Sequence, residues 1–192
     1  KNMQIVNCWV CELPNSIELI GGENIVVKNC QLGAQPTGIT CKVQEVNKLS
    51  FINNQVYPDG RENLVLDACN NCVIEGNNFK SYYNGILVLN GNDNTVNKNI
   101  FWLTGAVQNQ LLDHGDDFGI INVKGNNNMV ASNSLSCEWA YAGAVTVNAV
   151  QGTGNVFKNC FVDNLESYRV FLVNAQTEVS NCVSSDKVSI VE

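Results

Sequence analysis

Apolar positions along this chain come in short runs of period two, divided by asparagine and glycine rather than by helix caps. The segments "GILVLNGNDNTVNKN" (85–99), "GIINVKGNNNMVASN" (119–133) and "AVTVNAVQGTGNVFKN" (144–159) each hold two β-rich runs separated by a Gly/Asn turn. No stretch sustains a 3.6-residue apolar period over three turns, so the pattern predicts strands throughout and no amphipathic helix.

The runs recur. Aligned on the strand-final position they give Cys8-Trp9-Val10, Cys30-Gln31-Leu32, Asn54-Gln55-Val56 and Asn77-Asn78-Phe79. The series continues with Asn99-Ile100-Phe101, Asn133-Ser134-Leu135, Asn159-Cys160-Phe161 and Asn181-Cys182-Val183. Every triplet opens on Asn or Cys and closes on an apolar residue, at successive spacings of 22, 24, 23, 22, 34, 26 and 22. A leucine-rich repeat has this length, but its Leu-rich consensus is missing. One coil of a parallel β-helix fits better, with about three short strands per coil and coils stacked at about 4.8 Å. The expected fold is therefore an all-β parallel β-helix of about eight coils, a single domain over 1–192.

That stacking gives the asparagines a purpose. Equivalent turns lie above one another, and an inward amide carries both donors and an acceptor for the backbone and the next amide. Asparagine also tolerates the left-handed turn conformation. An Asn/Cys ladder is expected, with Cys8 and Cys30 in the asparagine column and Cys160 and Cys182 sharing the column beside it.

Three places break the repeat. The 34-residue spacing holds an inserted loop, "LTGAVQNQLLDHGDDFG" (103–119), with Asp113, the only histidine, His114, and the acids Asp116 and Asp117. A long excursion from a compact solenoid is usually functional, here as part of a site or a subunit contact, although "DHGDD" also reads as plain turn chemistry. "VYPDGREN" (56–63) carries Arg61, whose planar fork suits bidentate partners, on what is otherwise an ordinary turn. In "CWVCELPNSIEL" (8–19), Glu12 leaves the first triplet and Glu18 enters the next strand. Work on a glycosidic bond needs two carboxyl groups about 5–10 Å apart. The alternative for Glu12 is a solvated turn acid. Finally, Lys1 enters directly into a coil ("MQIVNC"). An open terminal coil exposes core and strand edges, so the domain is expected to lack its N-terminal cap, which further chain or another subunit would supply.

Composition narrows the partners. With 192 residues and 45% hydrophobic content the chain can build a sizeable core, and no apolar run approaches the roughly 18 residues of a membrane helix. The net charge of −7, from 11 Lys plus Arg against 18 Asp plus Glu, leaves no basic surplus to neutralise phosphates. Neither nucleic acid nor membrane is an expected partner, whereas a neutral sugar is not penalised. Nine cysteines include "CWVC" and "CNNC", which resemble half-sites for zinc or redox pairs. They also suit small buried hydrophobes, and with His114 alone for imidazole no metal or organic cofactor is expected. No cysteine pairing pattern or leader segment chooses between secretion and the cytoplasm.

The segments "ELPNSIEL", "GAQPTGIT", "YPDGR" followed by "DACNNCVIEGNNF", "YYNGILVLNG" and "DDFGIINVKGNNNMVASN" occur in the order and near the spacing of one known family. Over about residues 12–135 the chain resembles the C-terminal half of the inulin fructotransferases, relatives of the difructose anhydride hydrolases. The resemblance implies a right-handed parallel β-helix that assembles as a homotrimer, with sites between subunits and a fructan or other neutral oligosaccharide as partner. It also implies attack by a hydroxyl of the terminal difructosyl unit of a β-2,1 fructan on its own anomeric carbon, releasing a difructose dianhydride, or hydrolysis of that dianhydride. The family's catalytic Glu maps onto Glu12, and Arg61, Asp116 and Asp117 map onto motif positions that would contact fructosyl hydroxyls. Lys1 stands at the position the resemblance gives to the catalytic Asp, eleven residues before the Glu, and protonated lysine has no acceptor; either the carboxyl pair is broken, or the Asp lies upstream or comes from another subunit. Two readings follow: a carbohydrate-active enzyme, or a non-catalytic carbohydrate-binding or structural β-helix that has lost the carboxyl pair. A pectin-type lyase fits less well, since it needs calcium-binding acids or cations for uronates.

Overall fold

The computed structural model of the chain describes residues 2–83, 85–104, 118–137, 145–163, 169–182 and 188–191. Among these, every regular element is a strand, and the named strands pair in parallel with strands of neighbouring coils. They stack on three faces. The first face is a 7-stranded sheet running from Trp9–Leu13 through Gln31–Ala34, Gln55–Val56, Asn78–Ser81, Ile100–Leu103 and Ser134–Cys137 to Phe161–Asp163. The other two faces form one 14-stranded sheet, because Ile17–Lys28 and Ile39–Ile52 each run from one face onto the next without a break. The chain is thus a parallel β-helix. Seven stacked strands are six steps, so the solenoid makes about six turns rather than eight. Counting triplets overshoots because a turn closes only when a strand stacks above it, and residues 183–187 lie outside the described residues.

Period-two patterning fills the interior. Leu64, Leu66, Ile74, Phe79 and Phe101 have no exposed surface. Phe51, Phe79 and Phe101 stack with ring centroids 6.1 and 5.0 Å apart. Each such side chain contributes roughly 1.5–3 kcal/mol by leaving water, which holds the three faces together.

The turn onto the first face uses two residues with separate tasks. Asn7, Asn29, Asn53, Gly76, Lys98, Ser132, Asn159 and Asn181 all adopt a left-handed φ between 51° and 67°. The residue after each belongs to the column: Cys8, Cys30, Asn54, Asn77, Asn99, Asn133, Cys160 and Cys182. Asn54 Nδ2 donates to Asn77 Oδ1 at 3.0 Å, Asn77 to Asn99 at 2.9 Å and Asn99 to Asn133 at 3.0 Å. The same oxygens take the backbone N–H of Asn54, Asn77 and Asn99. The sequence alignment therefore slipped by one residue in its last two triplets. There it chose Asn159 and Asn181, which are the left-handed residues, whereas Phe161 pairs with Ser134 and Cys160 N donates to Cys182 Sγ at 3.4 Å. Cys160 and Cys182 belong to the same column as Cys8 and Cys30, not a neighbouring one. Asparagine suits both positions, the left-handed one through its short side chain and the inward one through its amide, so residue type alone does not separate them.

The turn between the other two faces repeats as Cys69-Asn70-Asn71-Cys72, Gly91-Asn92-Asp93-Asn94, Gly125-Asn126-Asn127-Asn128 and Gly152-Thr153-Gly154-Asn155. Its last position makes a second buried column. Cys72 N donates to Asn94 Oδ1 at 2.8 Å, Asn94 Nδ2 to Asn128 Oδ1 at 3.0 Å and Asn128 Nδ2 to Asn155 Oδ1 at 3.1 Å. In the last three turns the first position is glycine for a steric reason: a Cβ on Gly91 would lie 1.8 Å from the carbonyl oxygen of Cys69. "CNNC" is accordingly a turn of the solenoid with both thiols buried. A hydrogen bond shared with Cys69, and then burial, hold the Cys72 thiol above its ordinary pKa.

Residues 105–117, most of the inserted loop, lie outside the described residues, and so do Lys1, Asp113, His114, Asp116 and Asp117.

Candidate functional site

The first face opens into a depression at its first three coils, and each wall has a local cause. In Trp9–Leu13 the register against Gln31–Ala34 shifts between Val10 and Leu13. Such a bulge re-aims the side chains it carries. Glu12 sits in it at φ 65°, a left-handed conformation unusual for glutamate, with its side chain exposed. Its carbonyl accepts a hydrogen bond from Gln35 Nε2 at 3.1 Å, and Gln35 N donates to Leu13 O at 2.9 Å. The second coil presents Gly33 and Ala34, which make a low floor. A Cβ on Gly33 would approach Tyr57 Cβ at 3.3 Å and Cys11 Sγ at 3.4 Å. The third coil raises the opposite wall through Tyr57 and the exposed Asp59.

Together these residues enclose about 620 Å³. Gln31, Gln35 and Pro36 complete the rim. Trp9 is 77% exposed, far more than a core tryptophan. Its indole Nε1–H donates to Cys11 Sγ at 3.0 Å, and Tyr57 O–H donates to Gln31 Oε1 at 2.9 Å. Both polar tips are thereby satisfied within the wall, so the aromatic contribution to the depression is apolar ring surface. Among the described residues the lining holds two carboxylates, two side-chain amides and two aromatic rings, with no lysine, arginine or histidine.

Of the residues singled out in the sequence, Glu12 lines the depression and Arg61 does not. Arg61 N donates to Gly38 O at 2.8 Å, and its guanidinium lies 4.0 Å from the Glu62 carboxylate. Glu18, the other acid of its segment, is paired with Lys42 at 3.1 Å on the neighbouring face. Asp59 is the residue the sequence reading missed. Asp59 stands 24 residues after Gln35, the one-coil step that pairs Gln31 with Gln55, and only the stacking of coils brings it to the depression that holds Glu12.

A family model described as "Periplasmic copper-binding protein (NosD)" matches residues 1–178. Among solved structures the chain is similar to DFA-IIIase from Arthrobacter chlorophenolicus A6. Against that protein without its lid, identity is 20%, the TM-score is 0.82, and the match covers 99% of this chain and 52% of that one. The complex with GF2 gives 20%, 0.79, 99% and 52%, and a further structure of the same protein gives 21%, 0.80, 100% and 53%. The chain spans about half the length of these structures. At such identity the likeness speaks for the fold, and the resemblance read from the motifs is met at that level. No curated protein matches.

The copper of the family description can be tested against the donor set. Copper(I) takes soft thiolate and thioether ligands. Among the described residues no three Cys, His, Asp or Glu side chains converge to hold a metal ion. Burial keeps the Cys41 thiol well above its ordinary pKa, and a hydrogen bond with Cys182 followed by burial does the same for Cys160. The buried thiols of Cys41 and Cys160 do not fit a copper site, and the half-buried Cys8, Cys11 and Cys137 belong to no cluster of three donors among the described residues.

Proposed function

The chain belongs to the NosD family of β-helix proteins, and from that premise we propose that the depression on its first face binds a neutral oligosaccharide. The observation that carries this reading is the lining: acceptor carboxylates and amides beside the exposed Trp9 and half-buried Tyr57 rings, with no cation among the described residues. A sugar presents many hydroxyl donors and an apolar ring face, and it matches both halves of that surface. A uronate or phosphorylated ligand would bring its anionic groups up against Glu12 and Asp59 unneutralised. The solved DFA-IIIase structures, one of them a complex with GF2, support a carbohydrate of the fructosyl class. Within that class the reading is a β-2,1 fructo-oligosaccharide, with Glu12 as a proton-transfer group on the glycosidic oxygen.

The test is to incubate the protein with inulin and weigh the small products by mass spectrometry. The expected result is a species of two hexoses, either hydrated or lighter by two waters than two free fructoses, formed by the wild type and not by Glu12→Gln. Unchanged inulin, with no binding of its short oligomers, would overturn the reading.

A further inference from the structure

We infer that Asp59 is the carboxyl partner of Glu12, and that the two work across the floor of the depression on a glycosidic bond laid along the solenoid axis. This rests on the carbohydrate reading of the same depression and adds a residue and a reaction type to it. Glu12 stands on the first coil and Asp59 on the third, both exposed, and both line the same depression. Between them the second coil presents Gly33 and Ala34 on the floor and Gln35, whose Nε2 donates to Glu12 O at 3.1 Å, on the rim. Two coils at the strand spacing put the backbones about 10 Å apart.

That separation selects the chemistry. Carboxyl groups about 5–5.5 Å apart suit a covalent intermediate, and groups about 6.5–9.5 Å apart leave room for a water between acid and base. Backbones two coils apart leave room for the wider arrangement, which is the one we assign to this pair. The step is therefore a hydrolysis in which one carboxylate takes a proton from water. The water oxygen bonds to the anomeric carbon as the bond to the leaving sugar oxygen breaks, and that oxygen takes its proton from the other carboxyl. One water is consumed per bond, the configuration at the anomeric carbon inverts, and proton exchange with solvent restores the pair.

The experiment compares wild type, Asp59→Asn and Glu12→Gln on a β-2,1-linked fructosyl trisaccharide. Calorimetry reads binding, and NMR at early times reads turnover and product configuration. Both substitutions are at exposed positions, and binding within threefold of wild type shows that each variant is folded. The expected result is a loss of turnover of at least about 100-fold in either variant, within the range general acid–base groups supply. The pH profile separates a chemical role from a structural one, because each variant should erase a different limb of the wild-type bell. Binding without hydrolysis by the wild type, retained turnover in Asp59→Asn, or retained configuration in the product would each overturn the pairing while leaving the carbohydrate site standing. Absence of binding by the wild type would remove both.

Discussion

Asn77 shows what a single residue does in this fold. Its Nδ2 donates to Phe51 O at 2.8 Å and to Asn99 Oδ1 at 2.9 Å, while its Oδ1 accepts from Asn54 N and Asn54 Nδ2. The side chain is 1% exposed, so water cannot replace these partners if they are lost. Leucine has nearly the same size but no donor or acceptor, and a buried polar group left unpaired costs about 1–3 kcal/mol. Asn77→Leu should therefore lower the unfolding free energy by more than about 1 kcal/mol in urea titration. A neutral result would mean that the amide column is not a source of stability. The residue before it plays the other role: Gly76 at φ 67° would set a Cβ 2.4 Å from Asn53 Oδ1, so a side chain there would have to displace the Asn53 amide.

At the scale of the coil, the columns explain which features the sequence could and could not reveal. The period of 22–24 residues fixes coil length and the period of two fixes which side chains point inward. Hence the fold class and most of the core were legible. Register within the turn was not, since Asn159 and Cys160 are adjacent and both residue types occur in the column. Cys160 already mimics an asparagine: its thiol donates to Val130 O at 3.6 Å, where Asn133 Nδ2 donates to Val96 O at 3.0 Å. Cys160→Asn should then extend the amide column by one residue and leave stability unchanged or higher by up to about 1 kcal/mol, the worth of an added buried hydrogen bond. A loss comparable to that of Asn77→Leu would show that the column ends at Asn133 for reasons of space. The same alignment makes "CNNC" equivalent to "GNDN", "GNNN" and "GTGN", a comparison that identifies a turn without any appeal to metal chemistry.

At the scale of the whole molecule, a solenoid brings together residues that no local motif joins. Glu12 was visible because it follows the first triplet directly. Asp59 was visible only once coils are stacked, because the residues of one wall are contiguous while the two walls lie two coils apart in sequence. The aromatic surface was undecided for a related reason: what Trp9 and Tyr57 do depends on the face they occupy. If these walls hold a neutral oligosaccharide, a calorimetric titration of wild type and Trp9→Ala with a short β-2,1 fructo-oligosaccharide reads it directly. Saturable binding to the wild type is expected, with a loss of at least about tenfold in Trp9→Ala, as for removing a stacking platform worth about 1.4 kcal/mol. No heat with the wild type, or equal affinity in both proteins, would contradict it.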